Sequence, residues 1–252
     1  MQDKVTVILS AYNRIYNLEK QCEAIENQDY GNIETWIWFN KSKENSMTMI
    51  PKSITDRYPI IESPLNFGVW GRFSIALNAP SKYILIIDDD TIPCNGWITN
   101  CFDTINKHEG VISTRGVLLT EHKLSYPSPQ SYTAHGWCNP NSETKRVDFG
   151  CHSWFFTKQM LHAFWAEAPI NTPMNYGEDM HLSYAVQKRL GLNTYVAAHP
   201  EQNKDMWGSI PEVAVACGED RNAISWNPKA NMGMNQYFNS IYSKGFKIIN
   251  EE

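Results

Sequence analysis

The sequence predicts an α/β fold with a mixed, mostly parallel central sheet flanked by helices. Short apolar segments alternate with segments of helical spacing over the first 120 residues, and the alternation resumes after residue 146. Polar residues follow directly after several of the apolar segments. Such alternation is typical of a Rossmann-like sheet whose helices cover both faces. With 252 residues, 42% of them hydrophobic, the chain is long enough to bury a core of its own.

The first 120 residues contain most of the predicted strands. Residues 4–14, KVTVILSAYNR, form a short apolar strand that ends in polar residues. Residues 17–28 place Leu18, Cys22 and Ile25 at helical spacing, which completes a β-α start. The other predicted elements of this half are a strand ending at Asn40 (32–44), a short strand and loop (59–72), a helix (71–81), a strand (83–87), a helix (96–108) and a strand (110–120).

The second half begins with a segment of weak periodicity. Residues 121–146 are rich in Pro, Ser, Asn and Tyr, which predicts a long ordered loop or an insertion near a site. A strand leading into a helix follows over 147–165, a helix over 178–190 begins after Gly177, and LNTYVAAHP (192–200) is predicted to be a strand. We expect no domain boundary in 121–146 and therefore a single domain over 1–252.

Composition excludes some classes of function. A net charge of −5 argues against a nucleic-acid-binding surface, because phosphate backbones are held mainly by clustered Lys and Arg. No apolar segment approaches the roughly 20 residues that cross a bilayer, and the N-terminus does not resemble a signal peptide. The chain as given is expected to be cytoplasmic, although a chain without its membrane anchor would look the same. The six cysteines form no C-x-x-C pair, so we expect mostly buried free thiols.

Three adjacent aspartates, Asp88, Asp89 and Asp90, follow the apolar strand at 83–87. Side chains alternate along a strand, so Asp88 and Asp90 point the same way and can share a divalent cation if the backbone stays extended. Hard oxygen ligands suit Mg²⁺ or Mn²⁺, and ligands at the carboxyl end of a parallel strand are typical of open α/β sheets. The alternative is that the aspartates cap the helix beginning near residue 95 or form a solvated turn.

The series of motifs resembles nucleotide-sugar glycosyltransferases of the GT-A fold, whose hallmark is Asp-x-Asp after a β-strand. It is most similar to the exostosin-like family of N-acetylhexosaminyltransferases of heparan sulfate synthesis, in order and approximate spacing from residue 5 to about 195. The residues that carry this resemblance are Ala11-Tyr12-Asn13-Arg14, Trp38-Phe39-Asn40, Asn66, Arg72, Ile87-Asp88-Asp89-Asp90-Thr91, Gly150-Cys151-His152-Ser153-Trp154-Phe155-Phe156 (with one extra residue) and Glu178-Asp179.

The resemblance implies roles for individual residues in a nucleotide-binding part, about 1–120. Asp90 would ligate the metal that bridges the donor diphosphate, while Asp88 and Asp89 would assist the metal or hold donor hydroxyls. The nucleotide pocket would be lined by Tyr12, Arg14, Asn40, Asn66 and Arg72. From the residues alone, Tyr12 could equally be a core aromatic residue, and the two arginines could form surface ion pairs.

An acceptor and catalytic part, about 121–252, would supply the reaction centre. Glu178 and Asp179 would deprotonate the acceptor hydroxyl in an inverting enzyme, or hold the acceptor in a retaining one; the alternative is N-terminal helix capping. His199 follows the strand where GT-A enzymes often place a metal-binding histidine, although a lone histidine is more often structural. A basic residue near the leaving phosphate could be Arg221 or Lys229, and neither matches the family pattern well.

The resemblance therefore implies a glycosyltransferase dependent on Mn²⁺ or Mg²⁺. It would transfer a hexose from a nucleotide-diphosphate donor to a glycan or glycoconjugate acceptor, and the expected donor is a UDP-sugar. A nucleotidyltransferase of related fold is one alternative, but LSAYNRIYNLEK lacks the Gly-rich basic loop that such enzymes use. A non-catalytic carbohydrate-binding protein is the other, and the paired carboxylates at 88/90 and 178/179 argue against it.

Overall fold

The computed structural model describes residues 2–128, 130–170, 175–220 and 223–252. Within these ranges one sheet contains nine strands in the order β3-β2-β1-β4-β8-β5-β9-β7, and β6 pairs with β5. The strands are β1 (Val5–Ala11), β2 (Ile33–Asn40), β3 (Ile60–Ser63), β4 (Tyr83–Ile87), β5 (Gly110–Leu119), β6 (Tyr132–Gly136), β7 (Lys145–Val147), β8 (Phe149–Thr157) and β9 (Asn193–Val196).

Strand direction places the site at one edge of the sheet. Strands β3, β2, β1 and β4 are mutually parallel, and β8 runs antiparallel between β4 and β5. Because β5 is antiparallel to β8 and parallel to β9, it runs in the same direction as β4. The predicted mixed, mostly parallel sheet is confirmed. The carboxyl ends of β1, β2 and β4, where the predicted donor-side residues lie, meet along the same edge.

The helices cover the sheet and bring both halves of the chain together. Every residue of β1 and β4 is buried, so these strands have helices or loops on both faces. The hydrophobic core runs from Val5 to Ile248 and joins both halves of the sequence. The helices are α1 (Leu18–Glu26), α2 (Lys52–Thr55), α3 (Gly71–Ala76), α4 (Trp97–Lys107), α5 (Lys158–Ala166), α6 (Glu178–Leu190), α7 (Pro211–Gly218) and α8 (Pro228–Ser243).

Several elements differ from the sequence prediction or extend it. Residues 121–146 are not entirely loop, since β6 and the first residues of β7 lie within them. Helices α2, α7 and α8 were not predicted. All six cysteines are free; Cys22, Cys101 and Cys217 are buried, and the other three are half-buried. In the part of the chain that the structure describes, no helix has the length and apolar character needed to cross a bilayer.

Candidate active site

The three aspartates lie at the carboxyl end of β4, and side chains of the first helical segment hold their backbone. The Gln21 side chain donates to the carbonyls of Asp88 (2.7 Å) and Thr91 (2.8 Å). The Asn17 side chain donates to the carbonyl of Asp89 at 2.9 Å. These bonds satisfy buried carbonyls where the strand ends and fix the turn, so the three carboxylates point to different partners.

The Asp89 carboxylate forms hydrogen bonds with the segment that follows β1. Its carboxylate accepts hydrogen bonds from the backbone N–H groups of Asn13 and Arg14 and from Nη1 of Arg14, each at 3.0 Å. Burial raises the pKa of Asp89, and the neighbouring charge of Asp90 adds to that effect, whereas Arg14 opposes it. Asp89 therefore fixes the position of the Tyr12-Asn13-Arg14 segment relative to β4.

Asp88 is bridged to the start of α6 through Arg72. The Arg72 guanidinium contacts Asp88 through Nη1 and Glu178 through Nη2, the latter at 2.5 Å, and lies 4.6 Å from the ring centroid of Trp154. Arg72 is only 6% exposed. The structure thus places Arg72 in a buried ion-pair bridge, because α3 directs it between two carboxylates that need compensation. It does not line the cleft, in contrast to the nucleotide-pocket position predicted from the sequence.

Asp90 lies beside a histidine that sequence reasoning did not select. Nδ1 of His152 is 3.2 Å from Oδ1 of Asp90, and one ligand atom each of Asp88, Asp90 and His152 lies within 4.8 Å of the others. The His152 ring stacks on Trp137 with centroids 3.7 Å apart, which fixes its orientation. Burial opposes ionisation of Asp90, but the charge and hydrogen bond of His152 lower its pKa to about 2.

A bulge in β8 presents His152 to the aspartates. The residue has a φ of 68°, a left-handed conformation that is uncommon for a residue other than glycine. The pairing of β5 with β8 shifts register between Ser113 and Arg115, and the Ser113 hydroxyl lies 2.9 Å from the carbonyls of both Cys151 and Ser153. The His152 carbonyl accepts from the Asp88 N–H at 2.9 Å. This local distortion turns the imidazole towards the end of β4.

The cluster of Asp88, Asp90 and His152 fits a divalent cation. The two carboxylates offer hard oxygen ligands, and the imidazole offers a nitrogen ligand of intermediate hardness. This combination suits Mn²⁺. The charged form of Asp88 in particular is under-compensated: burial raises the pKa of Asp88 well above its usual value, although Arg72 opposes this. A bound cation would therefore reduce the electrostatic cost of holding these carboxylates together.

His199, the third predicted metal ligand, is not part of this cluster. Its Nδ1 lies 2.8 Å from the Ala197 carbonyl, and its Nε2 accepts from the Gly208 N–H at 3.1 Å. The side chain is fully buried, and burial lowers its pKa to about 4. Both ring nitrogens have backbone partners, so the histidine ties β9 to the segment before α7. Of the three predicted ligands, the structure brings together Asp88 and Asp90, and the histidine beside them is His152 and not His199.

A cleft of about 860 Å³ is lined in part by Arg14, whose guanidinium lies 3.0 Å from Asp89 and 4.0 Å from Asp90, so the cleft opens beside the aspartates. Asn66, which lines the cleft, donates to the Tyr12 hydroxyl at 3.0 Å, and Asn40 donates to the Asn66 side chain at 3.0 Å from behind without lining the cleft itself, in contrast to the prediction for Asn40. This volume suits a nucleotide-sized ligand. The lining residues are Tyr12, Asn13, Arg14, Tyr16, Lys41, Ser42, Lys43, Glu44, Pro64, Leu65, Asn66 and Asp220.

The two acidic residues at the start of α6 have different surroundings. Glu178 is buried against Arg72, whereas Asp179 is half-buried and its Oδ2 lies 3.7 Å from the Cys151 thiol. Burial, with the added charge of Glu178, raises the pKa of Asp179 to about 7. The helix begins after Gly177, where φ is 86° and an added Cβ would lie 2.9 Å from the Tyr237 ring. Asp179 is therefore the carboxylate of the pair that keeps access to solvent.

Asp220 is a further residue of the cleft that the sequence did not indicate. Its Oδ2 lies 3.0 Å from Nη2 of Arg14, so Arg14 is shared between the β4 aspartates and the segment after α7. A lone aspartate after an unpredicted helix carries no sequence signal. Of the two basic residues considered for this region, Lys229 is exposed in the first turn of α8, and Arg221 lies outside the described residues.

Solved structures with a similar fold include TarS from S. aureus. The chain matches one TarS structure with a TM-score of 0.51 at 16% identity, covering 77% of this chain and 36% of TarS. It matches TarS 1–349 in complex with UDP with a TM-score of 0.53 at 15% identity, covering 77% of this chain and 58% of the other. These similarities support the predicted GT-A fold.

Sequence comparison identifies the family. An uncharacterized glycosyltransferase of Haemophilus influenzae is 26% identical over 141 residues, which span 54% of this chain but only 44% of that protein. The narrower resemblance to the exostosin-like family is not confirmed. A model of glycosyl transferase family 2 matches residues 6–161, more than half of the chain. The chain therefore belongs to glycosyl transferase family 2.

Proposed function

We propose that the chain is a metal-dependent hexosyltransferase that uses a nucleotide-diphosphate sugar and glycosylates a hydroxyl of a carbohydrate or glycoconjugate. The observation that carries this proposal is the cluster of Asp88, Asp90 and His152 at the end of β4, beside a cleft of about 860 Å³. The cluster supplies a cation site where a diphosphate needs one, and the cleft offers room for the nucleoside.

Asp88, Asp90 and His152 would hold Mn²⁺ or Mg²⁺. When bound, the ion would supply positive charge that stabilises the departing diphosphate. The imidazole favours Mn²⁺, because Mg²⁺ usually keeps oxygen ligands. Asp89 has a different role in this proposal: it accepts hydrogen bonds from the backbone N–H and Nη1 of Arg14 and from the backbone N–H of Asn13, and so orients a guanidinium at the rim of the cleft.

The nucleoside would bind in the cleft against Tyr12 and Asn66. The Tyr12 hydroxyl accepts a hydrogen bond from Asn66 and so retains its own proton for donation to a ligand. Asn40 would act indirectly, because its side chain holds Asn66 and the backbone N–H of Phe67. UDP is the first nucleotide to test, since a TarS structure of similar fold was solved with UDP.

Asp179 would act as the general base, and Glu178 would position Arg72. Glu178 is committed to the buried ion pair, whereas Asp179 keeps solvent access and a pKa of about 7. The acceptor oxygen would attack the anomeric carbon as its proton passes to Asp179, and the bond from that carbon to the diphosphate would break. A single displacement of this kind inverts the anomeric configuration.

Release of nucleotide from a donor panel tests the proposal. The purified chain with Mn²⁺ should hydrolyse or transfer at least one of UDP-glucose, UDP-N-acetylglucosamine, UDP-N-acetylgalactosamine and GDP-mannose. Asp179→Asn serves as the control for contaminating activity. Preference for a UDP-N-acetylhexosamine would favour the exostosin-like resemblance, which stays a prediction. If the chain neither binds UDP nor consumes any of these donors, the proposed function is wrong.

A further inference from the structure

Arg115 on β5 lies on the side of the candidate site that contains Asp179, here called the acceptor side. Its Nε–H is buried without a hydrogen-bond acceptor, and the side chain as a whole is only half-buried. Among the described residues, no carboxylate oxygen lies within 4.0 Å of the Arg115 guanidinium. The Nε–H groups of Arg14 and Arg72 are also buried without an acceptor, but these two guanidinium groups are each paired with two acidic residues or more.

The strand register places Arg115 close to the proposed base. Arg115 pairs with Cys151 across the antiparallel β5 and β8, so their side chains share one face of the sheet at a Cβ separation of about 5 Å. The Cys151 thiol in turn lies 3.7 Å from Oδ2 of Asp179.

Arg115 and Asp179 lie near each other but do not form an ion pair within 4.0 Å. An anion can therefore approach the guanidinium without first displacing a carboxylate of the chain. A half-buried guanidinium has lost part of its hydration, so it binds a carboxylate or phosphate more strongly than an exposed one does. Asp179 repels an anion, and it would instead accept a proton from a neutral hydroxyl of the same ligand.

We infer that the acceptor carries an anionic group, a carboxylate or a phosphate, near the hydroxyl that is glycosylated, and that Arg115 binds this group. The inference rests on the proposed function and narrows its acceptor class. It makes Arg115 a specificity-determining residue: the guanidinium holds the anion while the adjacent hydroxyl is directed to Asp179. Uronic acids and sugar phosphates both present this chemistry, and the experiment separates them.

Ligand-observed NMR titration tests binding without requiring turnover. The probes are methyl β-glucoside, methyl β-glucuronide and methyl β-glucoside 6-phosphate, added to the chain with UDP and Mn²⁺. We expect at least one charged probe to bind about tenfold or more tightly than the neutral glucoside, since a charge-assisted hydrogen bond contributes on the order of this factor. The charged probe that gains affinity identifies uronate or phosphate as the group recognised.

Two variants of Arg115 and one control variant show whether the preference for a charged probe depends on this side chain. Arg115→Gln should remove the preference for the charged probe, and Arg115→Lys should keep part of it. Arg57→Gln removes an exposed arginine at a surface ion pair with Glu26 and should leave the preference unchanged. Equal affinities for charged and neutral probes in the unsubstituted chain, or a preference that persists in Arg115→Gln, would overturn the inference. Donor consumption without charge preference would leave the proposed function standing, so the two failures can be told apart.

Discussion

The donor side and the acceptor side of the candidate site hold their charged groups in different ways. On the donor side, ion pairs and hydrogen bonds hold the charged side chains of Asp88, Asp89, Arg14 and Arg72 in place. On the acceptor side Arg115 has no ion-pair partner among the described residues, and Asp179 keeps solvent access at a raised pKa. The donor side is thus preorganised by the fold, while the acceptor side retains groups that a ligand could satisfy.

Substitution of the base should produce the largest effect on turnover. Asp179→Asn keeps the shape of the side chain but removes its capacity to accept a proton, so turnover should fall roughly 10²- to 10⁴-fold. Donor affinity should change little, because Asp179 lies on the acceptor side. Steady-state kinetics with the best donor of the panel measures both quantities. Undiminished turnover would remove Asp179 from the reaction.

Loss of the buried bridge should mainly affect stability. Arg72→Met leaves the half-buried Asp88 and the buried Glu178 without their cation, and we expect a loss of about 3 kcal/mol in the free energy of unfolding. Adding Glu178→Gln should recover part of this loss, because one uncompensated charge disappears. Urea denaturation compares the variants with Arg57→Met, whose exposed ion pair should contribute less than about 1 kcal/mol. Equal losses for Arg57→Met and Arg72→Met would contradict the buried bridge.

Substitutions of His152 and His199 should have different effects, the first on metal binding and the second on stability. His152→Ala should weaken Mn²⁺ binding about 10- to 100-fold with a modest effect on folding, since it removes a ligand at the edge of the site. His199→Gln should instead lower stability by about 1–3 kcal/mol, because it disturbs buried hydrogen bonds. Calorimetric titration with Mn²⁺ and thermal unfolding distinguish them. The reverse result would restore His199 as the ligand.

The pH dependence of turnover should report the raised pKa of Asp179. A general base works only when deprotonated, so turnover should rise as the pH increases through about 7. Burial is the main cause of the shift, and the charge of Glu178 adds to it. Glu178→Gln should therefore move the acidic limb to lower pH. A limb that stays in place in this variant would mean that another group controls the profile.

The difference between the two sides also explains what the sequence could predict. All strands except β6 and β7 follow local patterns, as do α1 and the aspartates, since apolar runs end in polar residues at the edge of a parallel sheet. The start of α6 is equally local, because Gly177 and two acidic residues precede an amphipathic segment. These features were confirmed at nearly the predicted positions.

The remaining site residues depend on contacts that no local pattern encodes. His152 reaches Asp90 only because Ser113, 39 positions earlier, supports a left-handed bulge within β8. Arg72 could have faced the cleft, and its pairing with Glu178 depends on how α3 and α6 pack. A histidine after β9 looks the same in sequence whether it binds a metal or a backbone carbonyl, so His199 and His152 could not be distinguished.

Metal-dependent binding of UDP tests the central claim most directly, namely that Asp88, Asp90 and His152 form a cation site for the donor diphosphate. The measurement is a calorimetric titration of UDP with and without Mn²⁺, in the unsubstituted chain and in Asp90→Asn. We predict that Mn²⁺ increases the affinity for UDP at least tenfold, about 1.4 kcal/mol, and that Asp90→Asn abolishes this increase while remaining folded. Equal affinity with and without Mn²⁺, or an undiminished increase in Asp90→Asn, would contradict the account.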